Sequence, residues 1–168
     1  MADVFSKKKR SEVMARIRSR GNQATEVALA KLFRRHQITG WRRHLKLRVT
    51  SDEWQVTRKT RVPAPSPVTR HPSLAVRPDF VFRQARLALF VDGCFWHGCP
   101  KHGTKPKGNA AFWKKKFARN LARDRLVNRA LRRANWNVLR IWEHTLRWAT
   151  KKPQNEARLL RRFMRILL

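Results

Sequence analysis

The run RLALFVD at residues 86–92 constrains the fold of this chain more than any other segment. Successive side chains of a strand point to opposite faces of its sheet, and from Leu87 to Val91 both faces are apolar. A strand of this kind has to be covered on both sides, so it belongs in the centre of a sheet. The pattern therefore predicts a mixed α/β fold, with a central sheet flanked by helices.

A second strand-like run, RPDFVF, precedes the central strand and is separated from it by a short turn at Gln84 and Ala85. If the two runs form a hairpin with this two-residue loop, Asp79 lies opposite Phe90. The carboxylate of Asp79 is then expected near the beginning of the segment VDGCFWH.

The chain of 168 residues is expected to form a single domain. A basic helical arm is expected at 1–21, with its helix at 7–20, and the Pro-rich segment 46–76 is expected to be a flexible insertion. Apolar spacing and the capping residues Asn22 and Asn109 predict the other elements. These are a helix at 22–36, an edge-like strand at 41–49, a long helix at 109–134, a strand at 136–142 and a final amphipathic helix at about 154–167.

The formal charge of +31 is extreme, and self-repulsion at that density favours a polyanionic partner. Nucleic acid is the first candidate, with phosphate contacts that make affinity steeply dependent on salt. A membrane is disfavoured because no stretch approaches the length of a spanning helix. Secretion is not expected, because the start lacks the apolar region of a signal peptide. A ribosomal or packaging protein also fits the charge, but seven Trp and nine Phe are many for a purely electrostatic binder.

Both cysteines of the chain lie in the segment VDGCFWHGCPKH, residues 91–102. Cys94, Cys99 and His102 have the spacing C-x4-C-x2-H, which is close enough for three ligands of one tetrahedral zinc ion. The best-placed fourth ligand is His144, because it follows the strand WNVLRIW and neighbouring strand ends meet in a sheet. Such a closed site would be structural. The alternative is two free thiols beside two surface histidines.

Two acidic residues fall on apolar helical stripes, where an unpaired carboxylate is costly. Glu26 shares a face with Leu29, Ala30 and Phe33, and it is either a first-turn residue favoured by the helix dipole or a site residue. Asp124 lies within the stripe of the long helix. It either fixes the packing through a hydrogen bond or points into a site.

Asp79 and Asp92 lie at the start of one strand and the end of the next, where they can supply oxygen ligands for a hard cation. His97 follows within reach, and its imidazole titrates near neutrality, as a general base or acid requires. A cation with oxygen ligands and a nearby proton carrier are the parts that phosphodiester hydrolysis needs.

Phe95, Trp96 and Trp113 are open to two interpretations. Aromatic residues beside a zinc site commonly pack as a small core. On a DNA-binding surface, apolar side chains can instead enter between base steps and kink the duplex. Phe95 and Trp96 lie in a loop between the expected ligands and outside any periodic element.

Together these motifs resemble the very-short-patch repair (Vsr) DNA mismatch endonucleases. The resemblance is carried by DGCFWHGCP, with RPDF upstream, FW and RNLARDR downstream and VLRIWEH near the end. The run RSEVMARIRSRGNQATEVALAKLF also fits the family's opening. The resemblance covers nearly the whole chain except 46–76, and it implies a restriction-endonuclease-like fold with a structural zinc site.

The resemblance implies a role for each site residue. Asp79 would hold a catalytic Mg²⁺, assisted by the backbone carbonyl of Val91, and His97 would activate the attacking water. Glu26 and Asp124 would line the same site. The implied zinc (Zn²⁺) ligands are Cys94, Cys99, His102 and His144, with His144 where other members have a cysteine. The implied wedge that opens the duplex beside the mispair is Phe95, Trp96 and Trp113.

The chain departs from the wider fold family at the end of the central strand. The usual pattern PD…(D/E)xK puts an acid and a lysine on this strand, and here Phe90 and Asp92 occupy those positions. Some relatives have histidine in place of Asp92. Asp92 is therefore either a second metal ligand or a proton carrier.

The expected function is Mg²⁺-dependent nicking of one strand of double-stranded DNA beside a T:G mismatch. We expect a monomer, and contact with other repair proteins is left open. One alternative is a nuclease of the same fold without mismatch preference. The other is a non-catalytic, basic zinc protein that binds nucleic acid.

Overall fold

The structure, a computed structural model, describes residues 12, 23–49, 74–104, 106 and 108–167. Its helices are α1 (Ala28–Arg35), α2 (Ala110–Arg133), α3 (Glu143–Ala149) and α4 (Pro153–Leu167). Its strands are β1 (Trp41–Arg43), β2 (Leu47–Val49), β3 (Leu74–Val76), β4 (Phe80–Phe82), β5 (Leu87–Asp92) and β6 (Asn137–Trp142). Only residue 12 of the expected helix at 7–20 is described, and Asn22 and the centre of the expected insertion lie outside the described residues.

The central position expected for the run RLALFVD is confirmed. β5 lies inside a four-stranded sheet with the order β1-β4-β5-β6. It pairs antiparallel with β4 and parallel with β6. The sheet is therefore mixed, and the expected α/β class holds.

The expected hairpin joins β4 to β5. A hydrogen bond of 3.1 Å from the N–H of Arg86 to the carbonyl of Arg83 closes the turn. Its two central residues are Gln84 and Ala85, as expected. The register of the pair, continued by one residue beyond β4, sets Asp79 opposite Phe90. The hairpin thus brings the carboxylate of Asp79 toward the end of β5, as predicted.

The two faces of the sheet carry separate clusters of buried side chains. One face packs against α1, α3 and α4 through residues such as Phe33, Leu146 and Phe163. The opposite face packs against Val127 and Leu131 of α2 and against the small β2–β3 sheet. Because both faces of the sheet are covered, β5 is apolar from Leu87 to Val91.

The strand expected at 41–49 is two strands that belong to different sheets. β1 ends at Arg43 at the edge of the main sheet, whereas β2 pairs antiparallel with β3. The break falls at His44, whose φ of +53° is left-handed and incompatible with a regular strand. The two ends of the segment 46–76 therefore form β2 and β3, and the insertion between them stays a prediction.

The turn before α1 is wider than an α-helical turn. Residues Gln23–Val27 form a π-helix, so the helix expected at 22–36 has two geometries. The π turn carries Glu26, which is only 4% exposed. Short π-helical segments of this kind frequently occur at functional sites.

The long helix α2 has nearly the expected bounds, but its start differs. Asn109 is the residue before the helix, as expected, but its φ is +54° and its side chain makes no capping hydrogen bond. Leu121 is exposed, whereas Val127, Ala130 and Leu131, farther along the helix, are buried. None of the described helices is both long and apolar enough to cross a membrane.

Phe33 offers the most direct test of this packing. Its buried ring makes edge contacts with the rings of Phe80, Phe82 and Phe163 at 5.4, 5.5 and 5.1 Å. We expect Phe33→Ala to lower the free energy of unfolding by about 3–5 kcal/mol, because it leaves a cavity in the core. Urea unfolding followed by circular dichroism measures the loss.

The control is Phe112→Ala, because the Phe112 side chain is exposed. Its free energy of unfolding should stay within about 0.5 kcal/mol of the parent value. Equal losses in the two variants would contradict the described core.

Candidate active site and metal centre

The segment that follows β5 is a tight loop closed by backbone hydrogen bonds. The N–H of His97 donates to the carbonyl of Gly93 over 3.2 Å, and that of Cys99 donates to Cys94 over 2.9 Å. The N–H of Gly103 donates to the carbonyl of Cys99 over 2.7 Å, and a Cβ at this glycine would lie 2.5 Å from that oxygen. The close approach therefore requires glycine at residue 103.

This loop and the start of α3 bring the four expected zinc ligands together. One ligand atom each of Cys94, Cys99, His102 and His144 lies within 4.8 Å of the others. Nδ1 of His144 lies 3.2 Å from Sγ of Cys94 and 3.5 Å from Sγ of Cys99. Neighbouring ligand atoms of tetrahedral zinc are about 3.6 Å apart at bond lengths of about 2.0–2.3 Å. Two thiols and two imidazoles at such separations fit zinc.

The protonation states of this cluster also suit a metal ion. Burial lowers the pKa of His144, and the charges of His102 and Lys101 lower it further. The imidazole is therefore neutral at pH 7, which is the form that binds zinc. Burial raises the pKa of the Cys94 thiol, so a nearby cation is needed to hold the thiolate at neutral pH.

A second group of possible metal ligands lies at the start of β4. One ligand atom each of Glu26, His44 and Asp79 lies within 4.8 Å of the others. Oδ2 of Asp79 accepts a hydrogen bond of 2.7 Å from the N–H of Val91. The N–H of His44 donates to the backbone carbonyl of Asp79 over 3.2 Å. Asp79 is thus held by β5 on one side and by the end of β1 on the other.

Glu26 reaches this group from the π turn. Its Oε2 lies 2.7 Å from Nη2 of Arg43 and 2.8 Å from Nε2 of His44. The two basic residues follow each other where β1 ends, so one short segment supplies both partners. A carboxylate as buried as that of Glu26 requires such partners.

Asp79 is the perturbed acid of this group. Burial raises its pKa from 3.8 to about 6, against the opposing effect of the hydrogen bond from Val91. The value of about 6 also includes the effects of three neighbours: the charges of Glu26 and Asp92 raise the pKa, and His44 lowers it. A carboxylate whose charge is so poorly compensated gains from a bound cation.

His97 lies in a neighbouring group of charged side chains. Its Nδ1 is 2.6 Å from Oδ2 of Asp124 and 3.7 Å from Oδ1 of Asp92. An ionised carboxylate can only accept a hydrogen bond, so this contact places a proton on Nδ1, and in the neutral imidazole the lone pair is then on Nε2. An imidazole held in this tautomer can accept a proton from water.

Arg140 of β6 compensates both carboxylates beside His97. Its Nη1 donates to Asp92 over 2.7 Å and its Nη2 donates to Asp124 over 2.9 Å. Burial raises the pKa of Asp124, but His97 and Arg140 outweigh burial and lower that pKa on balance. For Asp92 burial is the stronger effect, and its pKa is raised in spite of Arg140 and His97.

The expected catalytic residues lie in two adjoining groups. The metal-ligand group consists of Glu26, His44 and Asp79, and the imidazole group consists of Asp92, His97, Asp124 and Arg140. The groups meet at the end of β5, where Val91 binds Asp79 and the next residue is Asp92. The charge of Asp92 also contributes to the raised pKa of Asp79.

Sequence reasoning missed Arg43, His44 and Arg140. Arg43, which ends β1, and His44, which follows it, had no distinguishing signal, because they lie in a run of basic residues. Arg140 did have a signal in the sequence. An arginine inside an apolar strand needs a carboxylate partner, and β6 lies beside β5, which ends in an aspartate.

Phe95 and Trp96 belong to a partly exposed aromatic patch, which they form with Phe112, Trp113 and Phe117 of α2. The ring centroid of Phe95 lies 5.0 Å from Trp96, 5.1 Å from Trp113 and 5.5 Å from Phe117. Phe112 packs on Trp113 at 5.4 Å and is 56% exposed. None of the five rings is fully buried, which favours a binding surface over a small core.

Comparison with known proteins agrees with the motifs. Residues 69–102 match the family model described as DNA mismatch endonuclease Vsr. The chain is 54% identical to the type II nicking enzyme V.NaeI of Lentzea aerocolonigenes over 69 residues. These residues make up 41% of this chain and 42% of that enzyme. It is 43% identical to the type II nicking enzyme V.NmeDIP of Neisseria meningitidis serogroup C over 74 residues. These residues make up 43% of this chain and 50% of that enzyme.

The chain thus spans half or less of the length of these two nicking enzymes. The match to the DNA mismatch endonuclease Vsr of Escherichia coli (strain K12) is longer, with 34% identity over 152 residues, 90% of this chain and 80% of that protein. This agreement along most of both chains shows that the chain belongs to the DNA mismatch endonuclease Vsr family.

Proposed function

We propose that the protein is a Mg²⁺-dependent endonuclease that nicks one strand of double-stranded DNA beside a T:G mismatch. The observation that carries this function is the meeting of the metal-ligand group and the imidazole group at the end of β5. The names of the relatives, a DNA mismatch endonuclease and type II nicking enzymes, support it. We infer a restriction-endonuclease-like fold as well, because PDF opens β4 and an acid ends β5.

The metal-ligand group fits a divalent cation by its donors and their spacing. The carboxylate oxygens of Glu26 and Asp79 are the hard ligands that Mg²⁺ prefers, and Nε2 of His44 lies within the same group, 2.8 Å from Oε2 of Glu26. Asp79, assisted by the backbone carbonyl of Val91, would hold the ion. A cation bound here would stabilise the negative charge that develops on the phosphate during hydrolysis.

The imidazole group supplies the proton acceptor. Asp124 holds Nδ1 of His97 at 2.6 Å, so Nε2 accepts the proton of the attacking water. The carboxylate of Asp124 then stabilises the imidazolium that forms. The new bond from water to phosphorus forms as the bond to the leaving oxygen of the DNA strand breaks.

The aromatic patch supports recognition of a mispair. A mispaired step costs less to unstack than a paired one, so an inserted side chain selects it. Phe95 and Trp96 precede His97 on the same loop, and their insertion would bring the opened step beside the imidazole group. The exposed residues Lys114 and Arg119 on α2 can bind the neighbouring phosphates.

Asp79→Asn tests the catalytic role of the metal-ligand group. We expect nicking to fall by about 100- to 1000-fold, because several kcal/mol of charge stabilisation are lost with the cation. DNA affinity should stay nearly unchanged, since phosphate contacts lie elsewhere. End-labelled duplexes with and without Mg²⁺ measure nicking, and fluorescence anisotropy measures binding.

The duplexes carry either a T:G mispair or a matched pair at the same position. Equal nicking of both by the parent protein would point to a nuclease without mismatch preference, and no Mg²⁺-dependent product would point to a non-catalytic binder. Normal nicking by Asp79→Asn would remove Asp79 from the catalytic site.

Metal binding should depend on pH through Asp79. Its carboxyl has a pKa of about 6 and has to lose its proton before it binds a cation. We expect the affinity for Mn²⁺ to rise about tenfold per pH unit up to about pH 6 and to level off above it. Calorimetric titration of the zinc-loaded protein measures this, with Asp79→Asn as the control that should bind Mn²⁺ only weakly at every pH. A midpoint near the ordinary pKa of 3.8 would contradict the proposed ligand.

His144 tests the proposed zinc site. We expect His144→Ala to lose zinc and to unfold at a lower temperature, whereas His144→Cys should retain zinc because a thiolate is also a zinc ligand. Metal analysis by mass spectrometry and thermal unfolding with and without a chelator measure both effects. Equal zinc content in the two variants would exclude His144 from the site.

A further inference from the structure

Arg140 uses every nitrogen of its guanidinium in a hydrogen bond. Nη1 donates to Oδ1 of Asp92 over 2.7 Å, Nη2 to Oδ1 of Asp124 over 2.9 Å, and Nε to Oδ1 of Asn128 over 3.1 Å. Charge-assisted bonds of this length are the strong ones. One side chain of β6 thus joins the end of β5 to two positions of α2.

The position of the guanidinium is fixed from a further direction. Arg140 pairs with Phe90 in the register of β5 and β6, and its Cζ lies 4.7 Å from the centre of the Phe90 ring. Arginine stacks on aromatic rings with its planar group. Phe90, which stands where the wider fold family has an acid, therefore acts here as a platform for a cation.

Both carboxylates held by Arg140 also face His97. Asp124 uses one carboxylate oxygen for each partner: Oδ1 accepts from Nη2 of Arg140, and Oδ2 contacts Nδ1 of His97. Asp92 uses Oδ1 for Arg140, and the same oxygen lies 3.7 Å from Nδ1 of His97. Without a cation between them, two negative charges at this distance from one ring would repel each other. The guanidinium removes that repulsion and fixes where each carboxylate stands.

We propose that Arg140 is the positioning residue of the catalytic histidine: it holds Asp92 and Asp124 in place, and through Asp124 it fixes the ring of His97. This inference rests on the proposed function. It also assigns Asp92, which the sequence leaves as a metal ligand or a proton carrier, to a third role as the anchor of Arg140. Arg140 thus supplies in the imidazole group the positive charge that a second divalent cation would otherwise provide.

A purely structural role, in which Arg140 only ties α2 to β6, makes a different prediction. Loss of such a tie lowers stability and the amount of folded protein but leaves the rate per folded molecule unchanged. Loss of a positioning residue lowers kcat itself, while KM for DNA stays nearly constant because the DNA-binding surface is intact.

The experiment compares Arg140→Met, Arg140→Lys and the control Arg161→Met on end-labelled T:G and matched duplexes with Mg²⁺. Arg161 is exposed on α4, on the opposite face of the sheet, so its variant removes one positive charge without touching the imidazole group. We expect Arg140→Met to lower kcat by about 100-fold, the typical contribution of a positioned general base, with KM changed by less than about threefold. Arg140→Lys should recover part of kcat, and Arg161→Met should retain all of it.

Two further measurements separate positioning from folding. Rates are divided by the concentration of zinc-loaded, folded protein, and Mn²⁺ affinity at the metal-ligand group should be unchanged in Arg140→Met. If Arg140→Met does not fold, Asn128→Ala removes a single bond to the guanidinium and should lower kcat by several-fold at constant KM.

Two results would overturn this inference and are distinguishable. If the parent protein nicks but Arg140→Met and Asn128→Ala nick at the parent rate per folded molecule, or differ only in KM, Arg140 is a structural tie. If the parent protein nicks neither duplex, the proposed function fails, and the role of Arg140 fails with it.

Discussion

The hydrogen bond from the backbone N–H of Val91 to Oδ2 of Asp79 is the contact on which the site depends. It forms because β4 and β5 pair antiparallel in a register that sets Asp79 beside the end of the central strand. The bond partly offsets the burial that raises the pKa of Asp79 to about 6. A slip of one residue would turn every side chain of β4 to the other face and separate Asp79 from the loop that carries His97.

Buried carboxylates lie on both sides of this contact, and their negative charges are compensated to different degrees. In the imidazole group, Arg140 and His97 bind the carboxylates directly, and the pKa of Asp124 is lowered. In the metal-ligand group, the partners of Asp79 leave its pKa raised, so its charge is under-compensated. This contrast is the reason that we propose a divalent cation beside Asp79 and not beside His97.

The sequence was sufficient wherever one local pattern determined one outcome. An apolar run with no polar face had to be a central strand, and a two-residue turn had to set Asp79 opposite Phe90. His144 could be placed near the cysteines because parallel strand ends meet. It was insufficient where tertiary contacts decided: the left-handed backbone at His44 splits the strand expected at 41–49. Arg140 was missed because its partners come from a neighbouring strand and a distant helix.

The central claim is that the divalent cation binds between Glu26, His44 and Asp79 and not among the carboxylates beside His97. Crystals of the protein grown with Mn²⁺ and a T:G duplex, measured at the manganese absorption edge, test it directly. The account predicts an anomalous difference peak among Glu26, His44 and Asp79. A manganese peak between Asp92 and Asp124, with none at Asp79, would contradict it.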